Sequence, residues 1–311
     1  MAGIWIYSED IILAKELVTP AKELAKQAGQ KVGAIALDAE GAKELAALGV
    51  TKVIVLQSSS SWVEAYEQAV ADVLQEEGAD IVLIGGTIRG KYTAAKAAAR
   101  LDAGLLTDAV KVMLENNKLI AERFVYGGLA VTTEELSFPA FVTIPPRSYE
   151  IMTAESEQGE VIVKEVTAEP GITVVDVIKT QQQGVDISKA DRVIGIGRGV
   201  EKLEDLTMIQ ALADAAGAEV GCTRPICEEL KWMPIDRYIG ISGQVIKGSL
   251  YIAVGTSGQI QHVAGIRDSK VIVAINTNEK EPIFTASDYG IVGDYADIVP
   301  ALTEALQNAK A

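Results

Sequence analysis

The sequence predicts an α/β protein of two domains. Two observations predict this fold class: short runs rich in β-branched residues alternate with alanine-rich helical stretches, and the alternation stops near the middle of the chain and then resumes. The chain has 311 residues, of which 49% are hydrophobic, so it has enough apolar side chains to fill two cores.

The N-terminal elements follow one another in βαβ order. The predicted strands are GIWIYS, KVGAIAL and KVIVL, the predicted helices are PAKELAKQAG and GAKELAALG, and a further helix begins near Trp62. Thr19 and Pro20 have the pattern of a helix cap followed by the first helical residue, and Gly29 suits the left-handed residue that ends a helix. The next strand, DIVLIGG, leaves segment 87–91 at the carboxyl edge of the sheet, where such folds bind ligands.

The pattern then changes to antiparallel strands and loops. VKVMLENNKLIAERFVY predicts a β-hairpin that turns at Asn116 and Asn117. A polar stretch, AESEQGE, follows this region, and the composition from Pro170 to Lys189 is typical of a loop and includes three consecutive glutamines. We therefore predict a domain boundary there, with a linker over residues 168–189.

The C-terminal half resumes the α/β pattern. After a strand at 191–196 comes a helix that ends at Gly217 and carries one apolar stripe, formed by Leu203, Leu206, Ile209, Leu212 and Ala216. Strands follow at LYIAVG and KVIVAIN, with a helix between them that opens near Ser257. The tail, ADIVPALTEALQNAK, is predicted to be a helix entered at Pro300.

Charge and cysteine content exclude several classes of function. The chain has 28 basic and 43 acidic residues, a net charge of −15, and no Lys/Arg-rich block, so nucleic acid and anionic membranes are poor partners. The N-terminus lacks a signal-peptide pattern and no stretch approaches about 18 apolar residues, so we expect a cytoplasmic protein without an integral membrane segment. Two cysteines, Cys222 and Cys227, and one histidine, His262, do not make a structural zinc site or a disulfide framework, and no metal is expected.

A glycine motif, Gly195-x-Gly197-x-Gly199, follows a strand and opens a helix. Its second interval is one residue shorter than the dinucleotide-binding fingerprint requires, so a glycine turn that exposes Arg198 is the better interpretation. Arg198 is then either a bidentate phosphate ligand or an ordinary surface arginine, and the motif leaves both open.

The strongest local signal is GTSGQIQH at 255–262. A buried strand runs there into a small, hydroxylated, glycine-broken turn, so free backbone N–H groups and the Ser257 hydroxyl predict a pyrophosphate site that Gln261 and His262 can also reach. The alternative is a plain βα turn with a solvated histidine. Two further motifs are weaker. CTRP at 222–225 lies after a short strand and holds Arg224 at a helix start. GISG at 240–243 is a small-residue turn that presents one hydroxyl.

Together these segments resemble the C-terminal domain of the electron-transfer flavoprotein alpha subunit family. The matching segments, in the family's order, are GRG at 197–199, TR at 223–224, GISG at 240–243, LYIAVGTSGQIQHVAGI at 250–266, KVIVAIN at 270–276 and DYGIVGD at 288–294. The N-terminal half resembles that family's first domain less specifically. The resemblance implies an N-terminal α/β nucleotide-binding-like domain over residues 1–180 that provides the partner interface, and a C-terminal doubly wound parallel-sheet domain over 190–311 that binds FAD.

The resemblance also implies a role for each matching residue. Arg198, Ser257 and Gln261 hold the pyrophosphate region with backbone N–H groups of 256–260, Thr223 keeps a hydroxyl contact, and Asn276 and Asp294 fix the adenosine end. Arg224 lies over the isoalloxazine ring, Ser242 donates to N5 and His262 hydrogen-bonds the C2 carbonyl. The full set of implied cofactor-binding residues is Arg198, Thr223, Arg224, Ile239, Gly240, Ile241, Ser242, Thr256, Ser257, Gly258, Gln259, Ile260, Gln261, His262, Asn276, Asp294 and Tyr295.

Some positions depart from the family's commonest pattern. Ile241 stands where glutamine is frequent, Ser242 where threonine is frequent, and Thr277 and Asn278 where Lys and Asp are usual. Reduction places negative charge on the N1 and C2 side of a flavin, so a donor or cation there raises the potential of the first electron. The departures keep a hydroxyl for N5 but leave the flavin's potentials open.

The resemblance implies partners as well as a cofactor. The chain is expected to form a heterodimer with the beta subunit, which holds AMP in simple electron carriers and a second FAD in members that bifurcate electrons from NADH. An acyl-CoA dehydrogenase or a membrane quinone oxidoreductase is the expected redox partner, in a bacterium or archaeon. Nothing in the sequence separates the two kinds of carrier.

Two other classes of function compete with this interpretation. The first is a nucleotide-binding module without redox activity, in which segment 87–91 meets phosphate. The second is a hydrolase built on His262 and Ser257, although no carboxylate is placed by sequence to orient the imidazole. A flavin-containing preparation distinguishes the electron carrier from both.

Overall fold

The structure, a computed structural model, describes residues 3–60, 62–154, 159–168, 175–176 and 185–310 of the chain. The chain divides into two compact units, Met1–Val177 and Ile178–Ala311. Most of the predicted linker 168–189, including Pro170 and the three glutamines, lies outside the described residues, as does part of the polar stretch AESEQGE. The extent of the linker therefore stays a prediction.

The N-terminal unit is built on a parallel sheet. Its strands in the described residues are β1 Gly3–Tyr7, β2 Val32–Ala36, β3 Lys52–Gln57, β4 Ala79–Gly85, β5 Gly104–Leu106, β6 Ala109–Glu115, β7 Lys118–Val125, β8 Ala130–Leu136, β9 Ala140–Ile144 and β10 Glu160–Glu165. The order in the large sheet is β10-β3-β2-β1-β4-β9-β5, and its pairings are parallel. β1, β2 and β9 are buried along their whole length, which explains their nearly continuous apolar sequences.

Helices cover both faces of this sheet. Those of the N-terminal unit's described residues are α1 Ile11–Ala28, α2 Ala39–Ala47, α3 Glu67–Glu76 and α4 Ile88–Arg100. Alternate residues of β1 belong to different cores: Ile4 and Ile6 pack with α1 and α2, whereas Trp5 and Tyr7 pack with α3 and α4. The period of two along a strand therefore produces two apolar layers, one on each face.

Helix α1 begins earlier than predicted. Asp10 is its cap, because the Asp10 carboxylate accepts from two backbone N–H groups of the first turn, whereas Thr19 and Pro20 lie inside the helix. The predicted helix start at Pro20 was wrong, because the helix includes the turns before Pro20, whose Leu13 and Leu17 are fully buried in the core. That burial outweighs the roughly 3 kcal/mol that an interior proline costs.

Two predicted turns of this unit are confirmed. Gly29 ends α1 in the left-handed conformation, with φ of 63°. β6 and β7 form the predicted hairpin, and Asn116 and Asn117 turn it with φ of 48° and 61°. Positive φ at both central residues is typical of the two-residue turn that suits the twist of a hairpin. β8 pairs antiparallel with β7, so these three strands form a small second sheet.

The C-terminal unit is built on a second parallel sheet. Its strands are β11 Arg192–Ile196, β12 Glu219–Cys222, β13 Leu250–Val254, β14 Ile272–Asn276 and β15 Tyr289–Val292. They lie in the order β12-β11-β13-β14-β15, with parallel pairings. The predicted α/β class, with two domains and parallel sheets, is confirmed.

The two faces of this sheet are covered differently. The unit's helices in the described residues are α5 Leu206–Ala216, α6 Ile260–Val263 and α7 Tyr295–Lys310. α5 and α7 pack together over one face. The other face is covered largely by irregular segments that supply Ile187, Ile239, Ile246, Ile266 and Ile283 to the core. No helix in the described part of the chain is long and apolar enough to cross a membrane.

Three helix starts in this unit differ from the predictions. Leu203 precedes α5 in a 3-10 turn and is 51% exposed, so it lies outside the buried stripe. The helix expected near Ser257 is α6, which begins at Ile260 and has only four residues. α7 begins at Tyr295 and contains Pro300, because the Asp294 carboxylate accepts from a first-turn N–H and starts the helix there.

Candidate functional site

The C-terminal sheet has its topological switch point between β11 and β13. From β11 the chain continues to β12 on one side, and it returns later to β13 on the other. The connections therefore leave a crevice at the carboxyl ends of β11 and β13. A cavity of about 570 Å³ lies there, within the size range of small-molecule sites.

Most of the residues that the resemblance implies line this cavity. They are Arg198, Thr223, Arg224, Ile239, Ser242, Thr256, Ser257, Gly258, Gln259, Gln261, His262 and Asn276. The structure does not bring the other five into the lining: Gly240, Ile241, Ile260, Asp294 and Tyr295.

Two glycine turns pack against each other at the base of the cavity. The Gly199 N–H donates to the Gly255 carbonyl over 2.9 Å, and the Gly197 N–H donates to Val254 over 2.9 Å. A Cβ atom at Gly197 would lie 2.4 Å from the Gly255 oxygen, and Gly255 itself has φ of 62°. These glycines therefore allow two backbones to approach closely, and the Gly-x-Gly-x-Gly motif is a turn that exposes Arg198.

The turn after β13 offers a row of free donors. No protein acceptor among the described residues takes a hydrogen bond from the backbone N–H groups of 256–261. The Thr256 hydroxyl is buried without a hydrogen-bond partner, although Thr256 lines the cavity and is only 2% exposed. Buried polar groups are normally satisfied, so this donor set fits a ligand rich in acceptor oxygens, such as a pyrophosphate. Because α6 is so short, the donors are turn amides and owe little to a helix dipole.

Two exposed arginines lie at the rim of the cavity. Arg224 Nε donates to Glu228 over 2.7 Å, and this hydrogen bond raises the pKa of Arg224. Arg198 Nη1 lies 3.9 Å from Glu229. Both glutamates belong to one π-helical turn, Pro225–Glu229, so an anion that entered the cavity would compete with their carboxylates for the guanidinium groups.

His262 lies in the lining but uses both of its ring nitrogens within the protein. Nε2 lies 2.9 Å from the Tyr251 hydroxyl, and Nδ1 lies 3.2 Å from the Ile239 carbonyl oxygen. Burial lowers the pKa of His262 to about 4, so the ring is neutral at neutral pH. The contact to the flavin C2 carbonyl that the resemblance implies for His262 therefore stays a prediction.

The loop after Tyr238 carries the hydroxyl that the resemblance assigns to flavin N5. Ser242 Oγ lies 3.2 Å from the Tyr238 hydroxyl, and both residues line the cavity. Ile239 is fully buried and Ile241 is 57% exposed, so the chain turns outward between them. Gly240 makes that turn with φ of 156°.

The residues implied for the adenosine end have structural contacts of their own. Asn276 Nδ2 donates to the Thr256 carbonyl over 2.9 Å, which ties β14 to the donor-rich turn. Asp294 caps α7, and the Tyr295 hydroxyl donates to Asp205 over 2.6 Å. Their roles toward a cofactor therefore stay predictions.

Eight further residues line the cavity although they are not among the implied ligands: Gly197, Gly199, Pro225, Tyr238, Gly255, Thr277, Asn278 and Glu281. Thr277 and Asn278 follow β14 directly, so the sequence could have placed them at the carboxyl edge of the sheet. Tyr238 gave no such signal in the sequence, because it is held by a single β-bridge to Cys222 and no strand pattern surrounds it.

The two cysteines lie beside this site as free thiols. Cys222 and Cys227 are both buried, and burial raises the pKa of each thiol. No group of three or more His, Cys, Asp or Glu side chains in the part of the chain that the structure describes is arranged to hold a metal ion.

Comparison with known proteins agrees with this geometry. A family model described as the electron transfer flavoprotein FAD-binding domain matches residues 186–267, and one described as the electron transfer flavoprotein domain matches residues 13–169. The proteins called Protein FixB from Escherichia coli O6:K15:H31 (strain 536 / UPEC), Escherichia coli O157:H7 and Shigella flexneri are each 39% identical to this chain, over 97% of this chain and 97% of each relative.

One solved structure, described as a thiamin diphosphate-dependent enzyme from Mycobacterium smegmatis, covers 96% of this chain and 59% of that chain at 11% identity. Its TM-score of 0.25 is too low to carry an argument. The two family models, by contrast, fall on the two units, and the relatives extend over nearly the whole chain. The chain belongs to the electron transfer flavoprotein family as an alpha-subunit-like member, with the family's flavin-binding domain in its C-terminal unit.

Proposed function

We propose that this chain is the FAD-holding subunit of an electron transfer flavoprotein and works as a heterodimer with the beta subunit. One observation carries the proposal: residues 256–259 and Gln261, whose backbone N–H groups are free, line a cavity together with the buried Thr256 hydroxyl, in the domain that matches the FAD-binding family model. A pyrophosphate supplies acceptors for several of these donors at once. FAD contains a pyrophosphate and FMN does not, so the donor row favours FAD.

FAD, when bound, supplies the electron-accepting chemistry, and the protein supplies binding and electrostatics. The residues of the 255–262 turn hold the phosphates, while Ser242 and Tyr238 present hydroxyls from the opposite loop. Arg224 places a positive charge at the rim, which stabilises negative charge on the ring, and Glu228 opposes it. His262 contributes a neutral, buried ring.

We infer that the heterodimer carries electrons from a dehydrogenase to an acyl-CoA dehydrogenase or a quinone oxidoreductase. Family membership supports electron transfer, and the choice of donor and acceptor stays a prediction. If the beta subunit holds a second FAD instead of AMP, the complex would take electrons from NADH and bifurcate them. A cytoplasmic location is part of the proposal and is tested by cell fractionation.

The test is a flavin count on the chain co-expressed with its beta subunit. The cofactor is extracted, identified by mass spectrometry and quantified against protein, and the absorbance spectrum of the intact complex is recorded. One FAD per heterodimer supports a simple carrier, and two support a bifurcating complex. An intact heterodimer without flavin, or with FMN, would overturn the proposal.

The N-terminal unit is proposed to provide most of the partner interface. Multi-angle light scattering gives the mass of the chain alone and of the co-expressed pair, both with the C-terminal unit's cavity unaltered. These masses test whether the two chains associate. We expect a stable species with the mass of one chain of each kind. A chain that is monodisperse and monomeric alone, and does not associate when the beta subunit is added, would contradict the proposal.

A further inference from the structure

Among the described residues that line the cavity, Glu281 alone carries a carboxylate. It lies in the loop after β14, directly before the 3-10 turn Pro282–Ala286. The Ile283 N–H donates to the Ser257 carbonyl over 3.1 Å, so this loop packs directly on the donor-rich turn. A negative side chain therefore stands beside a cavity whose other features, free N–H groups and two arginines, suit an anion.

The Glu281 side chain is oriented by its own loop. Asn278 Nδ2 donates to Glu281 Oε1 over 2.9 Å, and the Asn278 N–H donates to Asn276 Oδ1, also over 2.9 Å. The Glu281 N–H donates back to the Asn278 carbonyl over 3.1 Å. No group in the described part of the chain donates to the second carboxylate oxygen, Oε2, so this oxygen is free to accept hydrogen bonds from a ligand.

The order of the strands indicates which part of an extended dinucleotide Glu281 meets. Along the carboxyl edge of the sheet, the lining residues run from Arg224 after β12, through the turn after β13, to Glu281 after β14. In the proposed function the flavin ring lies at the Arg224 end and the pyrophosphate lies on the amides of the turn after β13. The adenosine then extends toward β14, and its ribose is the group that follows the pyrophosphate directly.

A carboxylate discriminates strongly among the groups at this end of the ligand. It repels phosphate oxygens, whereas neutral hydroxyls donate to it in charge-assisted hydrogen bonds. Dinucleotide-binding folds place an aspartate or glutamate on the ribose hydroxyls for this reason. The adenosine ribose of FAD has two adjacent hydroxyls, which suit an oxygen that lacks a donor.

We propose that Glu281 binds the adenosine ribose of FAD, its carboxylate accepting hydrogen bonds from the ribose hydroxyls. The inference rests on the proposed function, because it takes the cavity to be the place of FAD. It adds one residue to those that the resemblance implies for the cofactor. Asn278 is the positioning residue of this contact, because its side-chain amide holds one carboxylate oxygen and leaves the other for the ribose.

The test compares FAD with two analogues on the flavin-depleted heterodimer of this chain and the beta subunit. One analogue carries 2′,3′-dideoxyadenosine and lacks both hydroxyls, and the other carries hypoxanthine and lacks only the adenine amino group. The change in flavin absorbance on binding gives the dissociation constant, so AMP on the beta subunit is not detected. Where the beta subunit also takes up FAD, the affinity of one flavin changes and the other serves as an internal reference.

Glu281→Ala is expected to weaken FAD binding roughly tenfold, the effect of losing a hydrogen bond to a charged group. It should weaken the hypoxanthine analogue equally and leave the dideoxy analogue unchanged. Glu281→Gln, which keeps an acceptor oxygen without the charge, should lie between alanine and the wild type. The wild type should itself bind the dideoxy analogue roughly tenfold more weakly than FAD.

Glu279→Ala is the matched control, because Glu279 is an exposed glutamate of the same loop that does not line the cavity. It removes the same charge and should bind FAD as the wild type does. The urea midpoint of the flavin-free protein should be equal in all three proteins, which separates a ligand contact from a structural role.

Unchanged FAD affinity in Glu281→Ala would overturn the inference, as would an equal loss with the dideoxy analogue. A loss that disappears with the hypoxanthine analogue would assign the carboxylate to the adenine amino group and refute the ribose contact. Absence of FAD from an intact heterodimer is a different result: it refutes the proposed function, whereas a heterodimer that binds FAD equally with and without Glu281 refutes only this contact.

Discussion

Of the two glycines in the donor-rich turn, Gly258 has less space for a side chain than Gly255. Its φ is 81°, and a Cβ atom would lie 2.2 Å from the Ile283 backbone nitrogen. Gly258→Ala therefore combines a strained backbone, worth about 1–3 kcal/mol, with a clash that forces the turn away from 282–286. We expect loss of bound FAD, measured as the ratio of flavin to protein after gel filtration.

Gly217→Ala is the control for this prediction. Gly217 also has positive φ, 63°, but a Cβ atom there would meet nothing within 4 Å. It should lose about 1–2 kcal/mol of stability through the backbone alone and keep its flavin. Equal flavin retention in the two variants would show that the close approach at Gly258 is unimportant for the site.

Arg224 lines the cavity and is the arginine that the resemblance implies over the isoalloxazine ring. Arg224→Ala is expected to keep FAD, because the turn amides remain, and to lower the potential of the first electron by tens of millivolts. Glu228→Gln, which removes the paired carboxylate at 2.7 Å, should raise it. Spectroelectrochemical titration measures both, and shifts of the same sign in the two variants would contradict the charge argument.

At the scale of elements, substitution of Asp294 distinguishes a structural role of this residue, as the cap of α7, from a role in binding the cofactor. Its carboxylate accepts from the Ala296 N–H over 2.9 Å at the start of α7. If capping is its only role, Asp294→Ala costs about 1 kcal/mol in the free energy of unfolding and leaves FAD affinity unchanged, with Asp294→Asn close to the wild type in both. The adenosine contact implied by the resemblance predicts instead a weaker FAD affinity, so isothermal titration of the apoprotein decides between them.

The strands were predictable because they depend on local sequence. A β-branched run followed by an alanine-rich stretch has few alternatives to a βαβ unit, and every strand named from such a run is present in the structure. Helix starts were less predictable, because a proline looks like a first residue whether or not the preceding turn is helical. At Pro20 and Pro300 the preceding turn is capped by an aspartate and packs in the core.

The candidate site was predictable where it follows strands and not where it depends on long-range contacts. The 255–262 turn was identified because a strand, glycines and hydroxyls are adjacent in sequence. The partners of His262 were not, because Tyr251 belongs to an apolar strand and Ile239 acts through its backbone oxygen. Neither residue type indicates a hydrogen bond to a histidine until the fold brings them together.

For the molecule as a whole, the burial of His262 makes the free energy of unfolding depend on pH. Its pKa is lowered from 6.5 to about 4 by burial, so the unfolded chain binds more protons than the folded chain between these values. The contribution of the neutral ring is complete above pH 6.5 and is lost as the pH falls toward 4, by roughly 3 kcal/mol in all.

Urea unfolding at pH 7 and pH 4.5 tests this linkage. The wild type should lose about 2–3 kcal/mol more than His262→Gln over that interval, because glutamine does not titrate and the carboxylates are common to both proteins. Flavin must be removed from both samples, since it stabilises the folded state by mass action. Equal losses in the two proteins would show that the histidine is not held neutral in the folded chain.

The pairing of β10 with β3 has a consequence for how the chain is made. β3 ends at Gln57, but the strand that covers its outer edge is Glu160–Glu165, about 100 residues later. A nascent chain therefore exposes the backbone of β3, with Val53 and Val55 on it, until that segment has left the ribosome. A fragment ending at residue 154 should form insoluble aggregates, whereas one ending at 168 should stay in the soluble fraction. Once β10 has docked, Glu160, Lys164 and Glu165 place charges along the new edge, so the segment that completes the sheet also prevents further strands from adding to it.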